Sequence, residues 1–403
     1  MNSSQWFRRA ALLIALAIPS AALTVVRAQQ PQGAGQTPAA PAGPLAPAVY
    51  KNIQVLTDVP ADQLDLTMRF VSAAVGMPCL QCHVQDATTG EWAYDKDDKR
   101  SKQTARDMMK MVYAIRAGGV ARTANCATCH NGKNRPPGLP LAEMMSPDQI
   151  TAANAAAAAR QGGPAGPPAG GAPGAAPGQR PAQPPPGPPV DEVLAKYIAA
   201  LGGQANVDKL KSRVMSGTLT MRNGQTASFT IEEKGRKYRE SQTPVTTGAA
   251  ATAMSRGFDG AAAWTMAPLP ADATGFVLQQ IQRAAELTLP LTLKERYPAL
   301  APGRVTRVDG VDMNVLASNV NGVNDQFFFD TTSGLLVRHT TTTRTPMGSL
   351  PERVDYSDYK DVTGVKMPFT VKRINWSAYD TLKIVDVKPN AQIDDARFAK
   401  PKG

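Results

Sequence analysis

Two five-residue runs, Cys79-Leu80-Gln81-Cys82-His83 and Cys126-Ala127-Thr128-Cys129-His130, decide how this chain is read. Together they use all four cysteines and two of the three histidines in 403 residues. Two thiols one short turn apart can add to the two vinyl groups of one haem, and the adjacent imidazole then reaches the iron. A redox dithiol or a structural disulfide needs no histidine at a fixed offset, so the competing reading is a zinc site made from the four thiols. The pattern predicts two covalently bound haem c groups, one held by Cys79 and Cys82 and one by Cys126 and Cys129. His83 and His130 are the predicted proximal iron ligands.

Only His339 is then spare, so two bis-histidine haems cannot be built from this chain alone. Each iron takes a methionine, borrows a ligand, or stays open. From Ala61 to Val75 the pattern is helical, with Leu64, Met68, Val71 and Val75 on one face, Pro60 at the start and Gly76 with Pro78 at the end. A second helix is predicted over Ser101 to Ala117, with Met108, Met111, Val112 and Ile115 sharing a face and Gly118-Gly119 as the stop. Helix, loop and attachment motif thus occur twice. Met68 and Met108 are the candidate distal ligands, with Met111 the alternative to Met108. Against this stands the commoner fate of methionine on an apolar helix face, which is core filling.

The stretch Asn52-Ile53-Gln54-Val55-Leu56-Thr57-Asp58, the pair Thr67-Met68, the first motif, Asp97-Asp98-Lys99 and Ala105-Arg106-Asp107-Met108-Met109-Lys110-Met111 carry a family likeness. Over about residues 47–140 the chain resembles the cytochrome c subunit of photosynthetic reaction centres. That resemblance implies a distal methionine on the helix before each attachment motif, at positions matching Met68 and Met108. It also implies delivery of electrons from a soluble donor to a photo-oxidised pigment. The family usually carries four haems and its anchored members often have a lipidated cysteine. This chain has two motifs and no cysteine to spare, so electron transfer carries over better than photosynthesis.

In chain order, Arg8-Arg9, the apolar run Ala10 to Ala22 and the small residues around Val26-Arg27-Ala28 predict a signal peptide over 1–28 and export to the periplasm. An uncleaved anchor would associate the protein with the membrane. A Gln, Pro, Gly and Ala spacer covers 29–47, the dihaem domain 48–150, and an Ala/Gly/Pro-rich linker 151–189 whose first residues, Thr151 to Arg160, can extend a helix. That linker tethers its flanks without orienting them, so relative motion is expected. The charge-rich stretch Asp95 to Lys102 reads as a solvated connection between haem units. Net charge is +11, yet no basic patch interleaved with aromatics appears, and nucleic acid is not an expected partner.

From 190 to 403 the texture changes. A short helix over Glu192 to Leu201 precedes extended runs at Val214 to Met221 and Thr226 to Glu233, joined by Asn223-Gly224. Further runs lie at Arg304 to Val308, Asn314 to Asn319, Gln326 to Asp330, Leu335 to Thr343, Arg353 to Tyr359, Phe369 to Asn375 and Leu382 to Val387, with a helix over Phe276 to Leu287. The fold class expected for the whole chain is multidomain: a mainly α dihaem cytochrome c domain and an α+β antiparallel-sheet, half-barrel-like domain, joined by a disordered linker. Phe327 to Arg338, Tyr356 to Pro368 and Asp394 to Pro401 resemble periplasmic lipoprotein carriers, which implies lipid as a candidate ligand of this domain. A filled sheet acting as a docking module is the alternative. His339 is expected to be an exposed strand residue, and Asp394 with Asp395 surface charge.

The leading functional expectation is an exported dihaem c-type cytochrome that carries single electrons with His/Met ligation, and is not an enzyme. Its partners would be redox proteins, a soluble cytochrome or a membrane electron-transfer complex. A dihaem peroxidase or oxidase, needing one open iron, and a lipid or lipoprotein module with an attached redox domain are the alternatives.

Overall fold

The computed structural model describes residues 43–86, 92–119, 121–136, 187–244, 254–266, 270–287, 289–375 and 378–402. The expected signal peptide, most of the spacer and most of the linker with its helical start lie outside them.

The first part is mainly helical. Helix α1 (Ala46–Val49) is followed by a 3-10 turn (Ala61–Gln63) that leads into α2 (Leu64–Val75). Gly76 ends α2 at φ 64°, with its N–H on the Ala73 carbonyl and the Met77 N–H on Ser72, a left-handed stop that suits glycine. A ribbon of β1 (Val84–Gln85) and β2 (Trp92–Ala93) precedes α3 (Arg100–Ala117) and α4 (Cys126–His130).

The second part opens with α5 (Val190–Leu201) and α6 (Gln204–Lys209). Then come β3 (Ser212–Thr220), β4 (Thr226–Lys234), β5 (Lys237–Pro244), β6 (Met254–Phe258), β7 (Ala263–Met266) and β8 (Pro270–Ala273). Helices α7 (Gly275–Ala284) and α8 (Leu289–Arg296) follow, then β9 (Ala301–Pro302), β10 (Thr306–Val308), β11 (Val311–Val320), β12 (Val323–Asp330) and β13 (Leu336–Thr345). The meander closes with β14 (Gly348–Val362), β15 (Val365–Ile374) and β16 (Tyr379–Pro389).

These strands make one antiparallel sheet in the order β10 to β16, then β3 to β8, with β9 on β11. Two meanders are therefore joined where β16 pairs with β3. The expected strands are all present with shifted ends. The expected Thr363-Gly364 joint is a hairpin with φ 52° and 87°, the paired positive angles a tight two-residue turn demands.

The sheet is strongly curved, and one ion cluster shows it. Arg373 of β15 reaches Glu240 of β5 at 2.8 Å although β16, β3 and β4 lie between them in the sheet. Four strand spacings on a flat sheet amount to about 19 Å, more than two side chains can bridge. Inside the curve, Val193, Leu194, Tyr197 and Leu201 of α5 pack on Phe327, Phe329 and Met367. Ile281 of α7 packs on Leu219, Phe229 and Ile231.

Sequence periodicity does not announce β5, because its inward residues include Glu240 beside Tyr238 and its outward ones are polar too. Nor does it announce α8, whose Pro290 looks like a breaker but sits in the first turn, where no intrahelical N–H is needed.

The two parts also touch, which a flexible tether does not foretell. The described residues from Gly43 onward belong to one compact unit. Leu66, Phe70 and Ala74 of α2, Met109 and Val112 of α3 and Cys126 share a buried cluster with Phe276, Met347 and Leu350 of the sheet part. Met347 sits at the tip of the β13–β14 hairpin with no exposure. Arg116 of α3 donates to the Pro346 and Met347 carbonyls, both at 2.9 Å. Gly348 is required here: a Cβ would lie 2.2 Å from the Phe70 ring. Among the described residues no helix is long and apolar enough to cross a membrane.

Candidate haem-attachment sites

The two motifs adopt different local structures for a visible reason. In the second, the Asn125 side chain accepts from Ala127 N–H at 2.9 Å and Thr128 N–H at 3.3 Å, while the Thr128 hydroxyl accepts from Asn125 N–H at 3.0 Å. That reciprocal cap starts an α-helix over Cys126–His130. The first motif follows Pro78, has no such side-chain cap, and makes only a 3-10 turn over Cys79–Gln81. Asn125→Ala should therefore lower stability by about 0.5–2 kcal/mol; urea unfolding of wild type and variant measures the difference, and equal midpoints would deny the cap its role.

All four thiols are free. Cys79 and Cys129 are exposed, Cys82 is half-buried, and Cys126 is buried in the shared cluster, where burial pushes its thiol up. Among the described residues no three of His, Cys, Asp and Glu gather to hold a metal ion, so the thiols are not arranged for a tetrahedral zinc.

The histidines differ. His130 Nδ1 lies 3.0 Å from the Lys133 carbonyl. A carbonyl only accepts, so Nδ1 carries the proton and Nε2 keeps its lone pair for a metal. His83 Nδ1 is buried and makes no hydrogen bond within ordinary limits; the Tyr94 main chain lies alongside it. Burial, then the nearby Lys102 charge, holds the His83 imidazole below its ordinary value. Its ring meets Tyr94 edge-on at 5.2 Å, and Tyr94 stacks on Trp92. Free thiol pairs, each beside an imidazole with a lone pair to offer, fit a covalently attached haem.

The methionine-bearing faces are not the most deeply buried ones. In α2 the buried stripe is Leu66, Thr67, Phe70 and Ala74, facing α3 and the hairpin, whereas Leu64, Met68, Val71 and Val75 are half-buried. In α3 the buried stripe is Lys102, Arg106, Met109 and Val112, which leaves Met108, Met111 and Ile115 exposed. Val112, expected on the Met108 face, belongs to the core side instead. The core-filling role falls to Met109; Met108, Met111 and Ile115 leave an exposed apolar face on α3, whereas Met68, with Leu64, Val71 and Val75, flanks the shared cluster and is only partly covered. Helix α2 also abuts the second motif: Gly132 N–H donates to the Ala74 carbonyl at 2.8 Å.

The stretch Asp95 to Lys102 is a strap and not merely a solvated connection. Lys99 donates to the Leu80 carbonyl and Ser101 to the Gln81 carbonyl, both inside the first motif. Lys102 donates to the carbonyls of Tyr94 at 2.8 Å and Lys96 at 2.6 Å, and Arg106 pairs with Asp97 at 2.9 Å. Arg106 also donates to the Asn52 carbonyl at 3.2 Å. The Arg106 hydrogen bond, with those from Asn52 and Lys102, holds the Asp97 carboxyl well below the carboxylate range. Buried Lys102 and Arg106 were not singled out from sequence, although Arg106 lies in a stretch quoted above; long cations on a helix ordinarily signal solvent.

His339 is a correction. It is 5% exposed, stacks on Phe327 at 4.2 Å, and meets Asp325 at 2.9 Å, where Thr341 also donates at 2.7 Å. It is a partnered core histidine on the inner face of the sheet. Asp395 does stay at the surface, paired with Lys234 and Lys237.

Fold and site together define a chain with two thiol-and-imidazole attachment motifs in a helical part docked on a curved antiparallel sheet. Residues 15–163 match the model of the photosynthetic reaction centre cytochrome C subunit family. A photosynthetic reaction center cytochrome c subunit from Thermochromatium tepidum is 36% identical over 100 residues, 23% of either chain, so the match spans about a quarter of that relative. The sheet part is similar to a DUF1329 family protein from Desulfovibrio piger (12% identity, TM-score 0.38, covering 52% of this chain and 97% of that one). A LolA superfamily protein from Nitrosomonas europaea gives 15% identity and a TM-score of 0.36, covering 53% and 98%.

Proposed function

We propose that the protein is an exported, periplasmic c-type cytochrome that carries single electrons on two covalently bound haems and hands them between redox partner proteins. The observation that carries this reading is the repeated unit: each attachment motif follows a helix whose most buried stripe packs on protein and whose neighbouring apolar face is incompletely covered, half-buried at Met68 and exposed at Met108 and Met111. Haem held there supplies a one-electron iron couple. Cys79 and Cys82, and Cys126 and Cys129, would hold it by thioethers, and His83 and His130 would each bind an iron. The Lys133 carbonyl keeps His130 in the tautomer that offers Nε2. Met68 and Met108, with Met111 the alternative to Met108, would be the further iron ligands, so that substrate is kept from the metal.

The test is a redox titration with optical spectra of the mature, loaded chain. Two haems per chain are expected. Met68→Leu and Met108→Leu should each lower one midpoint potential, because thioether ligation favours the ferrous state, while Met111→Leu should change neither. A colourless mature protein, zinc bound through the thiols, or carbon monoxide binding to both reduced haems would overturn the reading.

A further inference from the structure

The concave side of the sheet encloses a cavity of about 190 Å³, distant in sequence from both attachment motifs. Its floor is apolar, with Met215, Ile231, Leu382 and Ile384. At one edge stand the guanidiniums of Arg256 and Arg373, which share the single carboxylate of Glu240 at 2.7 and 2.8 Å. Arg256 uses Nε and Nη2 and Arg373 uses Nη1, and no other group among the described residues takes the remaining N–H groups. Asp380 lies opposite Arg373 in the strand register and interacts electrostatically with Arg373, Glu240 and Arg256. Of the other charges that line the cavity, Arg213 pairs with Glu233 at 2.5 Å, Arg283 pairs with Glu352 at 2.7 Å, and Glu286 accepts from Tyr356.

We infer that this cavity binds a compact organic carboxylate, its head on Arg256 and Arg373 and its apolar body on Met215, Ile231, Leu382 and Ile384. Two guanidiniums facing one carboxylate leave fork-shaped donors that a second carboxylate matches. Cavities of about 150 Å³ hold a benzene ring, so ring-sized bodies fit and a long acyl chain does not. The inference is independent of the haem reading, since no lining residue belongs to the attachment motifs.

Calorimetric titration of the full, haem-loaded chain with benzoate, hexanoate, palmitate and neutral benzamide tests it. At least one of benzoate and hexanoate should bind below about 10 mM and benzamide should not. Arg256→Gln, which leaves Arg373 to hold Glu240, should weaken binding about tenfold. Met215→Trp should fill the floor and abolish binding while the melting transition stays cooperative. The inference fails if neither short carboxylate binds, if benzamide binds as well as benzoate, if palmitate binds more tightly than hexanoate, or if Met215→Trp folds and binds normally.

Discussion

Replacing Glu240 by glutamine is expected to destabilise the folded chain by about 3–5 kcal/mol, the cost of leaving buried charge without its partner. Glu240 is 1% exposed and accepts from Tyr238, Gln242, Arg256 and Arg373. Burial pushes its carboxyl up, but Arg256, Arg373 and the hydrogen bonds more than offset that and hold it well below its ordinary 4.5. The pH consequence follows from the direction. A carboxyl whose folded value is depressed contributes stability above its unfolded value, and that contribution declines as pH falls through the range below 4.5. Wild type should lose stability on acidification through that range, and Glu240→Gln should lose less because the group no longer titrates. Chemical denaturation at neutral and acid pH measures both. Parallel pH profiles for the two proteins would show that the cross-brace between β5 and β15 is not what holds the sheet curved.

Met347→Ala is expected to cost about 2–5 kcal/mol, the range for removing a fully buried large side chain from a core. Met347 is wholly buried, and its carbonyl is held by Arg116 of α3. Phe70→Ala, on the other side of the same contact, should cost about 3–5 kcal/mol. Both residues line one cluster, so the double variant should cost less than the sum of the singles. Unfolding followed by haem absorbance and by tryptophan fluorescence should give coincident transitions in wild type, because α2, α3 and the β13–β14 hairpin share that cluster. Two separated transitions would mean that the hairpin contact contributes little and that the linker alone joins the parts.

The residues that sequence reading missed have one feature in common. Lys102, Arg106, Glu240 and His339 are polar or charged side chains that end up inside because a specific partner waits there. Such burial leaves no period of two or of 3.6, and a lone charged residue on a strand or helix ordinarily means solvent. The methionine faces were legible for the opposite reason. Apolar residues at helical spacing were visible on both α2 and α3, although which stripe is most deeply buried was not.

What the sequence determined by itself is everything that depends on neighbours along the chain: the thiol and imidazole spacing of the attachment motifs, the helices before them, the glycine stops and the hairpins of the sheet. The tertiary structure alone decided that the β13–β14 hairpin inserts beside α2 and α3, that the Asp95 to Lys102 strap grips the first motif, and that β5 and β15 meet through Glu240. The reason is physical. Covalent geometry and backbone period act over a few residues, whereas Arg116 meets Met347 231 positions away and Arg373 meets Glu240 133 positions away. Pairings of that kind exist only once the tertiary fold has brought distant segments together.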